Sequence, residues 1–239
     1  MYFSKPGISL EKTLDFYFSI YKRKGLFDYF EGLEDDLVKQ YNALNKDKIN
    51  SDVDLCQEFF LNMKTGIQQE NYDISWSITK ALKLITDKKI RPQRIKIKHL
   101  YSDFTNLEEI KLQHYKNCNL DLIEPIIVSY YLPIQRLIVI DGNHRLHEAH
   151  NRGREKIDAI ILSPFANSII MNERNYKLYI FHHNLTNLVK LCCDPLAWKF
   201  MTDKSLEWNT YSGNYTFGNI FLKKILMLIK KPYLPILNC

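Results

Sequence analysis

Between Ser9 and about Lys89, apolar positions recur at helical spacing. Leu10, Leu14, Tyr17 and Tyr21 form one stripe, with Ser9 placed to cap it, and Leu33, Leu37, Tyr41 and Leu44 form another. A third stripe follows Ser51 and carries Val53, Cys56, Phe60 and Met63 up to Gly66; a fourth falls within residues 74–85. Such stripes face a core and carry no chemistry of their own. The pattern then changes. Residues 88–94, KKIRPQR, crowd charge around Pro92, and residues 95–98 alternate apolar and basic as a half-buried strand does. A short helix is expected over 107–115. Strands are expected over 125–130, with Pro125 at the permissive first position, and over 137–140. After Asp141–Asn143 a helix should run to about Arg152 and stop at Gly153, followed by a strand over 157–162.

The order strand, helix, strand, strand, helix, strand predicts a small mixed-sheet unit within an α+β protein. We therefore expect a helical N-terminal region over 1–90, the mixed core over 91–165 and a mostly helical extension packed on it over 166–239, with helices near 176–191 and 217–229. Trp198, Trp208, Tyr211 and Tyr215 read as packing residues of that extension, with a base-binding pocket as the sharper alternative.

Composition narrows the class. A chain of 239 residues that is 46% hydrophobic has ample material for a core, and no run of about 18 apolar residues suggests a membrane span. The end GNIFLKKILMLIKKPYLPILNC mixes apolar residues with lysine as a membrane-surface helix would, but a terminal helix docked on the core is the commoner arrangement. The N-terminus turns polar within a few residues, unlike a secretory leader. Five cysteines (Cys56, Cys118, Cys192, Cys193 and Cys239) show no metal-ligand spacing, so reduced thiols in a cytoplasm are expected. The net charge of +6 gives mild attraction to phosphates. Because its lysines and arginines look scattered, with small clusters at 22–24, 88–94 and 230–231, most read as solvated faces and DNA is not the favoured partner.

Candidate chemistry concentrates in LIVIDGNHRLHEAHNRG, residues 137–153. A buried strand runs into Asp141 and Gly142, where the missing β-carbon permits a sharp bend or close ligand approach. Residues 143–145 then open a helix, whose unpaired amides and positive dipole end favour an anion. Arg145 could add a bidentate grip on phosphate and His144 a donor or proton carrier. Asp141 could accept a proton from a hydroxyl or hold magnesium. The bland alternative is that Asp141 caps the helix and Arg145 pairs with it, or with Glu148, on the surface. His144, His147 and His150 stand three apart, but no cysteine or carboxylate pattern completes a metal site. Glu124 could face the same cleft, although a surface acid is the simpler reading.

Residues 125–130, the strand 137–140, the turn Asp141-Gly142-Asn143-His144-Arg145-Leu146, then Ala149, Gly153 and residues 157–161, together resemble the ParB/sulfiredoxin-like superfamily over residues 94–163. Asn143 stands where a sulfiredoxin carries its catalytic cysteine, so reduction of sulfinic acids is not implied. The second arginine of the CTP-binding turn in partition proteins is missing, and no helix-turn-helix is evident after Leu162. The free serine kinases of the superfamily carry Asp-Gly-x-His-Arg and are closer. That resemblance implies a nucleoside triphosphate, ATP (or CTP), with magnesium. It places Gly142, Asn143, His144 and Arg145 at the phosphates and Asp141 at the metal or the hydroxyl of a small acceptor. Asp103 stands near the position of a further kinase acid. Two other readings stay open: a nucleotide-switched module binding DNA or protein, and a nuclease of the same superfamily.

Overall fold

The computed structural model describes residues 10–29, 32–46, 57–64, 70–102 and 107–193. These fall into two compact units, one holding 57–63, 73–102 and 107–176, the other 10–29, 32–46, 64, 70–72 and 177–193. The expectations for Asp103, Val53, Cys56 and Ser9, for residues 217–229 and for the tryptophans and tyrosines of the C-terminal extension lie outside the described residues.

The first unit is built on a five-stranded mixed sheet. In chain order its strands are β3 (Gln93–Lys96), β4 (Leu100–Tyr101), β5 (Ile126–Tyr131), β6 (Arg136–Asp141) and β7 (Lys156–Leu162). Their spatial order is β3-β7-β5-β6-β4. β5 runs antiparallel to β6 and parallel to β7, β3 pairs antiparallel with β7, and β4 lies parallel to β6. The central strands read as near-continuous apolar runs because both faces are covered; Ile126, Val128, Val139 and Ala159 are fully buried. Two helices belong to this sheet, α5 (Glu109–Lys116) and α6 (Asn143–Asn151). Arg152 joins them: its Nε donates to Glu148 at 2.7 Å, and its Nη groups donate to the carbonyls of Tyr115, Lys116 and Cys118 at 2.7–3.0 Å, closing the C-terminal end of α5. The protein is α+β.

The expectation of an all-helical N-terminal region is corrected. Residues 58–64 form β1 (Glu58–Lys64) and residues 71–77 form β2 (Asn71–Ser77), paired as a two-stranded sheet. Phe60 and Met63 are three apart, which suggested a helix, yet burial alternates with period two: Leu61 and Met63 inward, Phe60 and Asn62 outward. Tyr72, Ile74 and Trp76 share one buried face of β2, where Ser75 and Ser77 on the other face are buried as well, and their aromatic and β-branched side chains suit a pleated surface. The expected helix at 74–85 begins only at α4 (Ile78–Lys88), where the Ser77 hydroxyl accepts the Lys80 amide at 3.3 Å as an N-cap.

In the second unit the first two stripes form α1 (Glu11–Arg23) and α3 (Leu33–Lys46), separated by the single turn α2 (Leu26–Tyr29). Leu10, Leu14, Tyr21, Leu33, Leu37, Tyr41 and Leu44 are buried as the pattern requires. α1 is capped from a distance: the buried Glu70 carboxylate accepts the amides of Lys12 and Thr13 at 2.8 and 2.6 Å and the Thr13 hydroxyl at 2.6 Å. Burial pushes that carboxyl up, but the hydrogen bonds with Thr13 and Lys12 outweigh it and hold Glu70 below the usual carboxylate range. The helix expected near 176–191 is α8 (Glu173–Cys193). It buries His182, which shares a hydrogen bond with Tyr72.

Burial, reinforced by the neighbouring His183, pushes His182 down to about 4. A histidine kept neutral in the fold stabilises above its unfolded value near 6.5, and that contribution is lost as pH falls from there toward 4. Between pH 7.5 and 5 the loss should be about 2 kcal/mol. Urea midpoints at the two pH values measure it. His182→Leu should flatten the dependence; an unchanged slope would contradict this role.

No helix among the described residues is long and apolar enough to cross a membrane.

Candidate functional site

β6 delivers Asp141 to the edge of the first unit's core, and the chain bends at Gly142 with φ +91° before α6 begins. The bend demands glycine. A β-carbon there would stand 2.6 Å from Ile126 Cγ2 and 2.9 Å from Arg145 Nη2. The first intrahelical bond of α6 is donated by the Leu146 amide to the Gly142 carbonyl at 2.9 Å. The amides of Asn143, His144 and Arg145 precede it and have no partner within the helix.

Arg145 corrects the expectation of an outward grip. Its side chain is only 9% exposed and turns inward: Nη2 meets Asp141 Oδ2 at 2.8 Å, and Nη1 donates to the carbonyls of Glu124 at 2.6 Å and Pro125 at 3.3 Å. The pairing with Asp141 is therefore a buried clamp, not a surface contact. It ties the end of β6 to the chain entering β5, and so fixes the bend. Removing Asp141 would leave the buried guanidinium uncompensated. The Asp141 side chain remains one-third exposed. Glu124 contributes its carbonyl here, while the residue itself is exposed.

Asn143 and His144 bind neighbouring elements. The Ser102 hydroxyl, just beyond β4, donates to Asn143 Oδ1 at 2.5 Å, and Asn143 Nδ2 reaches the Val139 carbonyl at 3.4 Å. His144 Nε2 accepts the Glu108 amide at 2.9 Å, which leaves Nδ1 as the protonated nitrogen of the neutral ring. Burial and the nearby Lys111 ammonium lower the His144 pKa, against weaker pulls from Glu108 and Asp141, so the ring is neutral at pH 7. Lys111 itself donates to Glu108 Oε1 at 2.6 Å and is exposed. Thus three amides, a neutral imidazole, a hydroxyl and one lysine gather around the bend, beside a carboxylate held in place by Arg145.

Ser102, Glu108, Lys111 and Arg152 were not singled out by sequence reasoning. Ser102 and Lys111 stand on elements that only the tertiary fold brings beside α6, and no spacing rule links them to Gly142. His147 is half-buried against Asn151 and His150 is exposed. No group of three or more histidine, cysteine or acidic side chains able to hold a metal occurs among the described residues. Cys192 is buried, and that burial pushes its thiol up to about 11. A hollow lined by Arg94, Glu124, Arg145, Arg154 and Asp158 encloses only about 20 Å³, room for little more than a water.

No protein-family model and no curated protein matches the chain. Among solved structures, the chain is similar to a conserved hypothetical protein from Pyrococcus furiosus, at 16% identity and a TM-score of 0.28, over 32% of this chain and 34% of that one.

Proposed function

We propose that the chain binds a nucleoside triphosphate, ATP in preference to CTP, with its terminal phosphates at the start of α6, and transfers phosphate to a small hydroxylated acceptor. The observation that carries this reading is the glycine bend itself. It sets three unpartnered amides at the positive end of a nine-residue helix, with Lys111 and the neutral His144 at its side. The resemblance of Asp141–Leu146 to the turn of free serine kinases in the ParB/sulfiredoxin-like superfamily adds the reaction type.

In this mechanism the amides of Asn143, His144 and Arg145 and the Lys111 ammonium hold phosphate oxygens. His144 donates from Nδ1, its Nε2 being occupied by the Glu108 amide. Asp141 accepts the proton of the acceptor hydroxyl as that oxygen bonds to the γ-phosphorus and the bond to the β-phosphate oxygen breaks, releasing ADP. Arg145 acts through Asp141, orienting the carboxylate rather than touching phosphate. A partly exposed carboxylate beside phosphate oxygens fits magnesium, which neutralises phosphate charge when bound and is commonly held by one or two carboxylates plus the phosphates.

Calorimetric titration with ATP and magnesium, alongside CTP, tests the reading. Binding to the unaltered chain is expected, weakened about tenfold in Lys111→Ala, the size of one charge-assisted contact of about 1.4 kcal/mol. ADP release stimulated by a mixture of hydroxylated compounds should follow, and Asp141→Asn should abolish the release. Failure of either nucleotide to bind at millimolar concentration refutes the proposal. Binding without ADP release would support the nucleotide-switch alternative instead.

A further inference from the structure

The expectation of scattered cations is corrected: charge in this chain is not spread evenly. Residues 78–98 carry Lys80, Lys83, Lys88, Lys89, Arg91, Arg94, Lys96 and Lys98 against a single acid, Asp87. Eight cations less one acid give +7, whereas the whole chain carries +6, so all remaining residues together carry −1. Every one of the eight is exposed, and none makes an ion pair among the described residues. They follow one path: along α4, through the connection that ends it, onto β3 at one edge of the five-stranded sheet and, with Lys98, into the turn just past it.

Two of these positions carry a local cost, Lys89 and Lys96, whereas Arg94 faces Asp158 across β3 and β7. Lys89 ends α4 at φ +51°, the left-handed conformation that glycine or asparagine adopts more easily. Lys96 stands directly opposite Lys156 in the β3–β7 register, and like charges facing one another across antiparallel strands are destabilising. Edge strands use charge to avoid unwanted pairing, but one or two residues suffice for that. A run that begins on the preceding helix exceeds it.

We infer that the α4–β3 stripe is a binding surface for the phosphate backbone of a nucleic-acid duplex. Arg94 and Lys96 share the solvent face of β3, with Ile95 buried on the other, and stand about 6.6 Å apart along the strand. Measured along the duplex axis, the phosphates of one strand rise about 3.4 Å each, so this spacing corresponds to about two such rises. Along the stripe, Leu82 on α4 is the single large apolar side chain that stands exposed, fewer than a membrane-surface element inserts. β3 is separated from β6 by two strands, and of the stripe only Arg94 reaches the hollow that Arg145 also lines; the inference does not require the α6 bend to bind nucleotide.

Fluorescence anisotropy of the full chain with a short labelled duplex of arbitrary sequence, between about 50 and 200 mM salt, measures it. Engagement of about five phosphates predicts a log–log salt slope near −4.5. Arg91→Glu, Arg94→Glu and Lys96→Glu together should weaken binding at least tenfold at the lower salt and reduce the slope by about 3. Arg91→Ala, Arg94→Ala and Lys96→Ala serve if charge reversal perturbs the fold. An equal change of net charge elsewhere, Arg23→Glu, Lys39→Glu and Lys116→Glu, should leave affinity within about threefold. No binding at the lower salt, an equal loss in that second set, or binding to phosphatidylserine-rich vesicles in place of the duplex would each overturn the inference.

Discussion

Asn167→Leu should destabilise the protein by about 4 kcal/mol, or about 10 °C in Tm for a chain of this size. Asn167 is fully buried on α7 (Asn167–Ile170) and uses its whole amide. Oδ1 accepts from Trp76 Nε1 at 2.9 Å and from the Ser129 hydroxyl at 2.8 Å; Nδ2 donates to the carbonyls of Tyr130 and Pro164 at 3.2 and 3.1 Å. One side chain thus joins β2, β5 and the turn before α7. Leucine has similar bulk, so the effect comes from polar groups abandoned in the core, each at about 1–3 kcal/mol. Ser129→Ala removes only one of the four bonds and should lose about 1 kcal/mol. Chemical unfolding of both variants separates the cases. A loss below about 1 kcal/mol for Asn167→Leu would mean that this hub contributes little.

Gly142→Ala should unfold the candidate site locally and lower stability by about 3 kcal/mol. At φ +91° an alanine is strained on its own, and its β-carbon would overlap Ile126 Cγ2 and the Arg145 guanidinium. Relief requires moving either a buried strand residue or the Arg145–Asp141 clamp. Gly153 supplies the comparison, because it also has positive φ, +69°, but an added β-carbon meets nothing within 4 Å. Gly153→Ala should therefore cost only about 1 kcal/mol of backbone strain. The difference between the two alanine variants, read from unfolding curves, isolates the overlap at the bend. Equal losses would show that the tight approach at Gly142 is relieved without penalty.

The sequence marked the elements around the bend more clearly than the chemistry of their side chains. β5, β6, α6 and β7 were legible because apolar runs of strand length and one helical segment are bounded by Pro125, Gly142 and Gly153, residues that restrict or release the backbone locally. β1 and β2 were not, since Phe60 and Met63 satisfy a helical spacing while Leu61 and Met63 satisfy the strand period that burial selected. A period fixes the element only when one face is known to be covered, and coverage is supplied by residues distant in the chain. The cap of α1 shows the same limit: its acceptor, Glu70, lies 57 residues beyond Thr13.

What the sequence determined by itself was local: which segments bury, where glycine bends the chain, that an acid, a histidine and an arginine adjoin one helix start, and that residues 78–98 hold all the net positive charge. Tertiary structure alone decided where Arg145 points. Its guanidinium turns inward because the carbonyls of Glu124 and Pro125, twenty or so residues earlier, come within hydrogen-bond reach once β5 pairs with β6. A buried guanidinium must find acceptors, and only folding brings them there.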